Sequence, residues 1–362
     1  YGVYSRYGNY TRGVVTGFSS GEESVLLKGS NNTLEKCEIS FGSGNGIKFE
    51  GNGNKVLNCS IHDFNYLGCY DAPVNMRGGS NSVLNNNTIY RGGRDCVQMF
   101  NKNSEIAYND IYRSNLIADD CGLLYTVGGP YYMEIHHNWL HDTRSRGKLY
   151  KAAGIYLDND AESFLVHHNV VWNTEWSNIQ CNLDCKDLDI YNNTLWNGSA
   201  AMGAWHREGT SFSDVKVWNN MADNTQFEPQ SDRQNNLTDY GDPFLDKANK
   251  NFQLKTNSQG IDYGRVINGV TGKYYGAAPD VGAYEYGGEY WTAGIDWDPE
   301  LGPDVCPLPG VRVENDGYVL LMASAPSDTT VYEVMINNPG TYGFAINSKG
   351  IGSTFVSLPV SY

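Results

Sequence analysis

The sequence predicts an all-β chain wound into a parallel solenoid, and three observations predict it. A six-residue phrase, apolar at its first and last positions with Asn or Cys at its fourth, recurs eight times. Between copies lie short β-type runs broken by Gly and Asn, without the 3.6-residue apolar period of a helix. The composition is rich in turn formers and aromatics, with 41 Gly, 26 Tyr and 8 Trp in 362 residues.

The phrase first runs from Leu34 through Cys37 to Ile39, and its last copy begins at Val217 with Asn220 in the fourth position and Met221 after it. Its fourth positions are Cys37, Cys59, Asn87, Asn109, Asn138, Asn169, Asn193 and Asn220, spaced by 22, 28, 22, 29, 31, 24 and 27 residues. A unit of this size cannot bury its own apolar face, so it stacks on its neighbours. Each repeat is then one coil, with coils about 4.8 Å apart. Asn at a fixed coil position tolerates the left-handed conformation of a sharp corner, and its amide bonds the equivalent amides above and below. Cys37 and Cys59 replace Asn with a small apolar stack or a disulfide. Of the eight Cys, Cys181 and Cys185 have the spacing of a short disulfide loop, but buried thiols acting as apolar fillers are the plainer reading.

Between copies runs a second strand-like segment, starting in successive coils at Ile47, Val74, Val97, Leu123, Ile155, Ile179 and Gly203. Alternation sends its first and third residues to the core, which places Tyr125 inside. The outward set is Lys48, Glu50, Asn75, Arg77, Gln98, Phe100, Tyr156, Asp158, Gln180, Asn182 and His206. Amides, carboxylates and aromatic rings side by side suit a sugar better than bulk water. The longest loops, 113–122 and 141–151, flank the coil of Asp158. Insertions in a repeat fold gather on its binding face, so the site is expected between residues 95 and 208.

The formal net charge of −15 argues against nucleic acid and anionic membranes as partners. With 40% hydrophobic and 19% charged residues, the chain is too apolar for disorder. No apolar run is long enough to span a bilayer.

Over residues 25–225 the repeat resembles the right-handed parallel β-helix superfamily of polysaccharide-active proteins. The stretch from Asp242 through Asn251 and Asp280 to Glu285 is similar to the ending of secreted carbohydrate-active β-helix proteins, which implies a secreted or periplasmic, extracytoplasmic location. The run Asp119 to Thr126 and the run Gly154 to Asp160 resemble the paired D-x-G-x-x-Y-T and G-I-Y-L-D-D motifs of β-helix glycoside hydrolases. The resemblance implies glycosidic hydrolysis of a polysaccharide or oligosaccharide by Asp or Glu on neighbouring coils. Asp120 and Asp158 fall on matching positions. Asp160 departs from the pattern by one intervening residue, and Asp119 completes the acidic cluster. Hydrolysis needs one protonated carboxyl and one base or nucleophile. A straight strand would hold Asp120 about 20 Å from the Asp158 level at 3.3 Å per residue, so the pair requires the 113–122 loop to bend inward. The expected substrate-binding set is Tyr156, Gln98, Asn182, Gln180, His206, Arg207, Glu175, Lys151, Arg144 and Arg77.

A polysaccharide lyase is the main rival. Its β-elimination needs a base and a cation beside a uronate carboxylate, and Lys48, Arg77, the run Arg144 to Lys151 and His206 with Arg207 offer the charge. A non-catalytic glycan-binding adhesin is the third reading. Paired His136-His137 and His167-His168 occupy equal positions on neighbouring coils and are expected to stack structurally rather than bind metal. The segment Asp158 to Glu162 has oxygen ligands for Ca2+ but lacks the glycine and spacing of an EF-hand loop, so no metal or other cofactor is expected. The anticipated organisation is a β-helix over 1–287, a proline-rich linker over 288–310, and a β-strand segment over 311–362 drawn from a β-sandwich module.

Overall fold

The computed structural model describes residues 8–9, 14–15, 21, 23–147, 149–238, 241–299, 311–313 and 319–321. Three parallel sheets wind through the repeats. Sheet 1 has eight strands, from Glu23–Lys28 to Ala200–Trp205. Sheet 2 has nine, from Thr33–Glu35 to Asp232–Gln234, and sheet 3 has nine, from Glu38–Ser40 to Leu237–Thr238. Each coil contributes one strand to each sheet in turn, except the last, which adds only Asp232–Gln234 and Leu237–Thr238. Among the described residues the only helical element is a 3-10 turn at Lys247–Asn249.

Each sheet sends one aliphatic column into the interior. Sheet 1 supplies Ile47, Val74, Val97, Leu124, Ile155, Ile179 and Met202. Sheet 2 supplies Val56, Leu84, Ile106, Ile135, Val166, Ile190 and Val217. Sheet 3 supplies Ile61, Ile89, Ile111, Leu140, Val171, Leu195 and Ala222. These columns merge into one core, where each aliphatic side chain contributes about 1.5–3 kcal/mol by leaving water.

The repeated phrase is the corner between sheets 2 and 3. Its Asn residues form an amide ladder: each Nδ2 donates to the next Oδ1 at 2.9–3.0 Å from Asn87 through Asn109, Asn138, Asn169, Asn193 and Asn220 to Asn236. Asn236 is a further rung, following its neighbour after only 16 residues. The left-handed residue, however, is the one before the ladder position. It is Lys36, Asn58, Asn86, Tyr108, His137, His168, Asn192, Asn219 and Asn235 in successive coils, with φ between 49° and 56°. The two tasks expected of one Asn are therefore divided between neighbours, because the ladder amide must point inward while the preceding backbone turns.

In the first two coils Cys37 stands on Cys59, whose Sγ accepts the Cys37 amide at 3.4 Å. Both carry thiols, as do Cys181 and Cys185. The short disulfide loop is absent, and Cys181 and Cys185 fill the core instead.

Sheet 1 departs from the expected register at one coil. Val97 and Ile155 pair with Leu124, not Leu123. The shift turns Tyr125 outward between Gln98 and Tyr156. Thr126 turns inward, where its hydroxyl donates to the Met99 carbonyl at 2.6 Å. Consecutive leucines offered two registers, and a one-residue slip exchanges the faces of the strand.

The outer face of sheet 3 is an aromatic stack. His62, Tyr90, Tyr112, His141 and Trp172 lie ring on ring at 4.2–5.0 Å. At its C-terminal end Trp172 packs with Trp139, Phe244, Phe252, Val281 and Tyr284. The ending 241–296 is thus a cover for an apolar sheet face. Contacts divide the chain into Tyr1–Asp296 and Trp297–Tyr362. Residues 288–296, expected to be linker, belong to the first unit: Trp291 stacks on Tyr284 at 4.5 Å, and the Ile295 amide donates to Thr88 Oγ1 at 3.1 Å. In the second unit Val311–Val313 pairs antiparallel with Val319–Leu321. The rest of the β-strand segment expected over 311–362 lies outside the described residues.

Candidate active site

The outward face of sheet 1 brings Asp120 and Asp158 into one hydrogen-bonded network. Asp158 ends the strand Ala152–Asp158 and accepts Tyr125 Oη at 3.0 Å and Asn182 Nδ2 at 3.1 Å. Asp120 precedes the strand Cys121–Val127 and accepts Tyr156 Oη at 3.1 Å. Asn182 Nδ2 also donates to Tyr156 Oη, at 2.7 Å. A phenol and an amide therefore bridge the two carboxyls. Their Oδ1 atoms lie no farther apart than the three links laid end to end, a bound that admits both the roughly 5–5.5 Å of a retaining pair and much of the roughly 6.5–9.5 Å range of an inverting pair. The inward bend of the 113–122 loop, helped by a left-handed Asp120 (φ 59°) and the reach of the Tyr156 ring, closes the gap that a straight strand would leave.

The environments of the carboxyls differ. Burial pushes the Asp120 carboxyl above its ordinary value, and the nearby Asp158 charge pushes the same way. The Lys151 ammonium and the Tyr156 hydroxyl pull against that shift without cancelling it. Lys151 Nζ lies 3.7 Å from Asp120 Oδ1. Burial holds both the Tyr125 and Tyr156 phenols neutral, so each donates a hydrogen bond to its carboxyl. Gln180 fixes the Asn182 amide through Nε2 to Oδ1 at 2.7 Å, and Ser177 Oγ fixes Gln180 at 2.7 Å.

Behind Tyr125, buried Arg94 lies 4.3 Å from the centroids of both Tyr125 and Tyr70 and pairs with Asp95. Burial raises the Asp95 carboxyl even with Arg94 beside it. Gln98 Nε2 donates to Asp95 at 3.1 Å. Arg94 and Asp95 hold the ring that holds Asp158.

Residues 23–195 match the family described as a right handed beta helix region. The solved structure of pectate lyase Pel9A is similar over 69% of this chain and 69% of its own, with a TM-score of 0.54 and 15% sequence identity. The chain folds as a right-handed parallel β-helix. No curated protein matches it in sequence.

The β-helix sorts the sequence candidates. Asp158, Asp120, Tyr156, Asn182, Gln180 and Lys151 meet in one place. Asp119 does not join that network: it is buried and spends its oxygens on the backbone amides of Asp120 at 3.0 Å, Lys151 at 2.8 Å and Leu149 at 2.7 Å. It pins the 147–151 segment, and Gly147 approaches so closely that a Cβ there would lie 2.3 Å from Asp119 Oδ2. Asp160 is exposed and locked in a bidentate pair with Arg207 at 2.7 and 2.8 Å, which lowers its carboxyl pKa. Arg207 also binds Asp184 at 2.9 Å. Neither member of that clamp joins the network. Glu175 Oε2 accepts the Ser145 amide at 3.0 Å and its hydroxyl at 2.6 Å, anchoring the same long loop, while Arg144 stays exposed. His206 Nε2 sits 3.2 Å from Glu228 Oε1 without the alignment of a hydrogen bond. Arg77 lies over Phe100, 4.8 Å from its centroid, and Gln98 serves Asp95.

The histidines stack as expected, His136 on His167 at 4.9 Å and His137 on His168 at 5.0 Å. Burial among these rings drives the His137 imidazole down to about 3. Among the described residues no group of three or more His, Cys, Asp or Glu is arranged to hold a metal ion. Sequence reasoning missed Tyr125, Arg94, Asp95, Trp176 and Trp205. Tyr125 was hidden by the one-residue register, and the Arg94-Asp95 pair had no periodic position to mark it.

Replacing Asp119 with Ala orphans three backbone amides. Bonds to a charged acceptor contribute about 1.5–3 kcal/mol each, so the unit is expected to lose several degrees of Tm. Misplacing Lys151 and Asp120 is expected to lower kcat/KM by at least about 10-fold. Accelerated hydrogen exchange at Leu149 and Lys151, with the distant ladder amides unchanged, would locate the damage.

Proposed function

We propose that the chain is an extracytoplasmic carbohydrate-active enzyme that hydrolyses glycosidic bonds of a polysaccharide or oligosaccharide. The reading rests on one observation: two carboxyls in unlike environments are bridged by Tyr156 and Asn182 on the open face of sheet 1. Asp120, with its raised pKa, gives its proton to the glycosidic oxygen as the bond to the anomeric carbon breaks and its electron pair passes to that oxygen. Asp158, held ready by Tyr125 and Asn182, either draws the proton from attacking water or attacks the anomeric carbon itself, forming a glycosyl-enzyme that water, its proton drawn by Asp120, then hydrolyses. Tyr156, by donating to Asp120, steadies the charge left after proton transfer. No metal or other cofactor takes part in this scheme.

The pH dependence follows from the causes of the Asp120 shift. An acid is active while protonated, so the rate falls as pH rises through its pKa. The Tyr156 hydrogen bond lowers that pKa. In Tyr156→Phe the basic limb of kcat/KM is therefore expected to move to higher pH while its acidic limb moves less. A limb that stays in place, or moves down, removes Asp120 from the role of acid.

Elimination is favoured by a separate observation, the half-buried Lys151 ammonium beside Asp120 on a fold shared with a protein titled pectate lyase. As a lyase, the chain would use Lys151 to neutralise a uronate carboxylate. Product analysis separates the two: saturated reducing sugars mark hydrolysis, and an unsaturated ring absorbing in the ultraviolet marks elimination. Binding without products would mark an adhesin.

A further inference from the structure

One coil beyond Asn182, the surface of sheet 1 steps down. The outward column of Gln98, Tyr125, Tyr156 and Gln180 ends at Gly203. A Cβ at Gly203 would lie 2.3 Å from Ser177 Oγ and 2.4 Å from Gln180 Oε1. The missing side chain lets the Gln180 amide lie across the sheet toward Asn182, and it opens a hollow of about 460 Å3.

The walls are chemically distinctive. Trp205, in register with Asn182, is 64% exposed and stands two rungs of about 4.8 Å from the Asp158 level. Trp176 meets Tyr156 edge-on at 5.5 Å and carries the Lys151 ammonium 5.2 Å from its ring centre. Ser177, Ser199, Gln180 and Gln226 add hydroxyls and amides. Among the described residues no carboxylate lines the hollow, although the chain carries a net charge of −15. Among the described residues its one charged wall residue is Lys151, on the same loop as exposed Arg144 and Arg146.

We infer that this hollow is a sugar subsite beside the cleavage point, which stacks one ring on Trp205 and receives an anionic substituent, carboxylate or sulfate, at Lys151. The inference rests on the reading of Asp120 and Asp158 as the cleavage pair, and it adds the direction in which the substrate runs and its charge. A large indole left in water gains by covering its face with the C–H side of a pyranose, and hydroxyls and amides around it meet the ring's hydroxyls. Local positive potential in an acidic protein selects an acidic ligand.

The test uses the full chain carrying Asp158→Asn, titrated calorimetrically with three probes: hexagalacturonate for carboxylate, a sulfated carrageenan hexasaccharide for sulfate, and neutral xylohexaose. One anionic probe is expected to bind at least about tenfold tighter than the neutral one, a difference near 1.4 kcal/mol, and the identity of that probe names the substituent. Adding Trp205→Ala is expected to weaken binding by about tenfold or more, and Trp205→Phe to restore part of it. Lys151→Met is expected to erase the preference for charge. Because Trp205 is exposed, an unchanged Tm verifies that the variants fold.

Binding that ignores Trp205, a neutral probe that binds as tightly as the acidic ones, or no binding of any probe would each overturn the subsite. If binding depends on Trp205 while the Asp158→Asn chain still releases sugars, the subsite stands and the cleavage assignment falls.

Discussion

Asp158→Asn is expected to abolish sugar release while leaving oligosaccharide binding nearly intact. The substitution preserves volume and one acceptor oxygen, so Tyr125 can still donate to the side chain from its 3.0 Å position. What disappears is the negative charge that activates water or attacks the sugar. Loss of a positioned base costs about 10²–10⁴-fold in rate, and a fall of about 10³-fold in kcat with binding changed less than about threefold is the expected result. A second consequence is electrostatic. The Asp158 charge helps to raise the Asp120 pKa, so any residual activity should have its basic limb shifted to lower pH. Asp160→Asn provides the contrast. Two residues along the chain, Asp160 is exposed and paired with Arg207, and its loss should change kcat/KM by less than about twofold. Equal damage from both variants would mean that acidity of the segment, not the bridged pair, supports activity. Full activity in Asp158→Asn would remove the carboxyl pair from the chemistry altogether.

The contrast between Asp158 and Asp160 also shows where sequence reading stopped. A coil period is visible because each copy must place an apolar residue in every sheet and an amide at one corner, so eight copies repeat the same constraint. Outward residues carry no such constraint. Asp158 was found because its strand register is firm, with Ile155 and Leu157 fixed in the core. The neighbouring strand has Leu123 and Leu124 side by side, both buried, so alternation alone could not decide that Tyr125 faces Asp158. The meeting of Asp120 with Asp158 depends on a loop bend and on the reach of one tyrosine, neither of which is periodic. Asp119 and Asp120 are adjacent and chemically identical in sequence. Only the direction of the turn gives one to three backbone amides and the other to the groove. Trp205 lay beside a glycine whose use is empty space, and space is a property of several coils together.

Asn138→Ala is expected to be the most damaging single change to the fold. The side chain is fully buried at mid-ladder. Its Nδ2 donates to the Ile106 and His136 carbonyls at 2.8 and 2.9 Å and to Asn169 Oδ1 at 2.9 Å. Its Oδ1 accepts the Asn109 amide and Asn109 Nδ2, each at 2.9 Å. Alanine removes all five bonds: Asn109 Nδ2 keeps the Leu84 and Ala107 carbonyls and Asn169 Oδ1 keeps the Asn138 amide at 3.1 Å, but the Asn109 amide loses its acceptor and the Ile106 and His136 carbonyls lose a donor. An orphaned buried polar group costs about 1–3 kcal/mol, and partial relaxation still leaves a loss of about 4 kcal/mol or more. For a unit of this length that corresponds to a Tm lowered by roughly 10 °C. Because coils interact chiefly with their neighbours, the damage should be local before it is global. Hydrogen exchange is expected to quicken first at the Asn109 and Asn138 amides, while the Asn193 and Asn220 rungs keep their protection. The left-handed corner residue His137 (φ 52°) supplies the control. His137→Asn keeps a residue that tolerates this conformation and leaves the ladder untouched, so its cost should be well below that of Asn138→Ala. A larger loss at His137 would mean that the stacked imidazoles, rather than the amide column, hold the coils in register. A Tm unchanged in Asn138→Ala would mean that the aliphatic columns alone suffice.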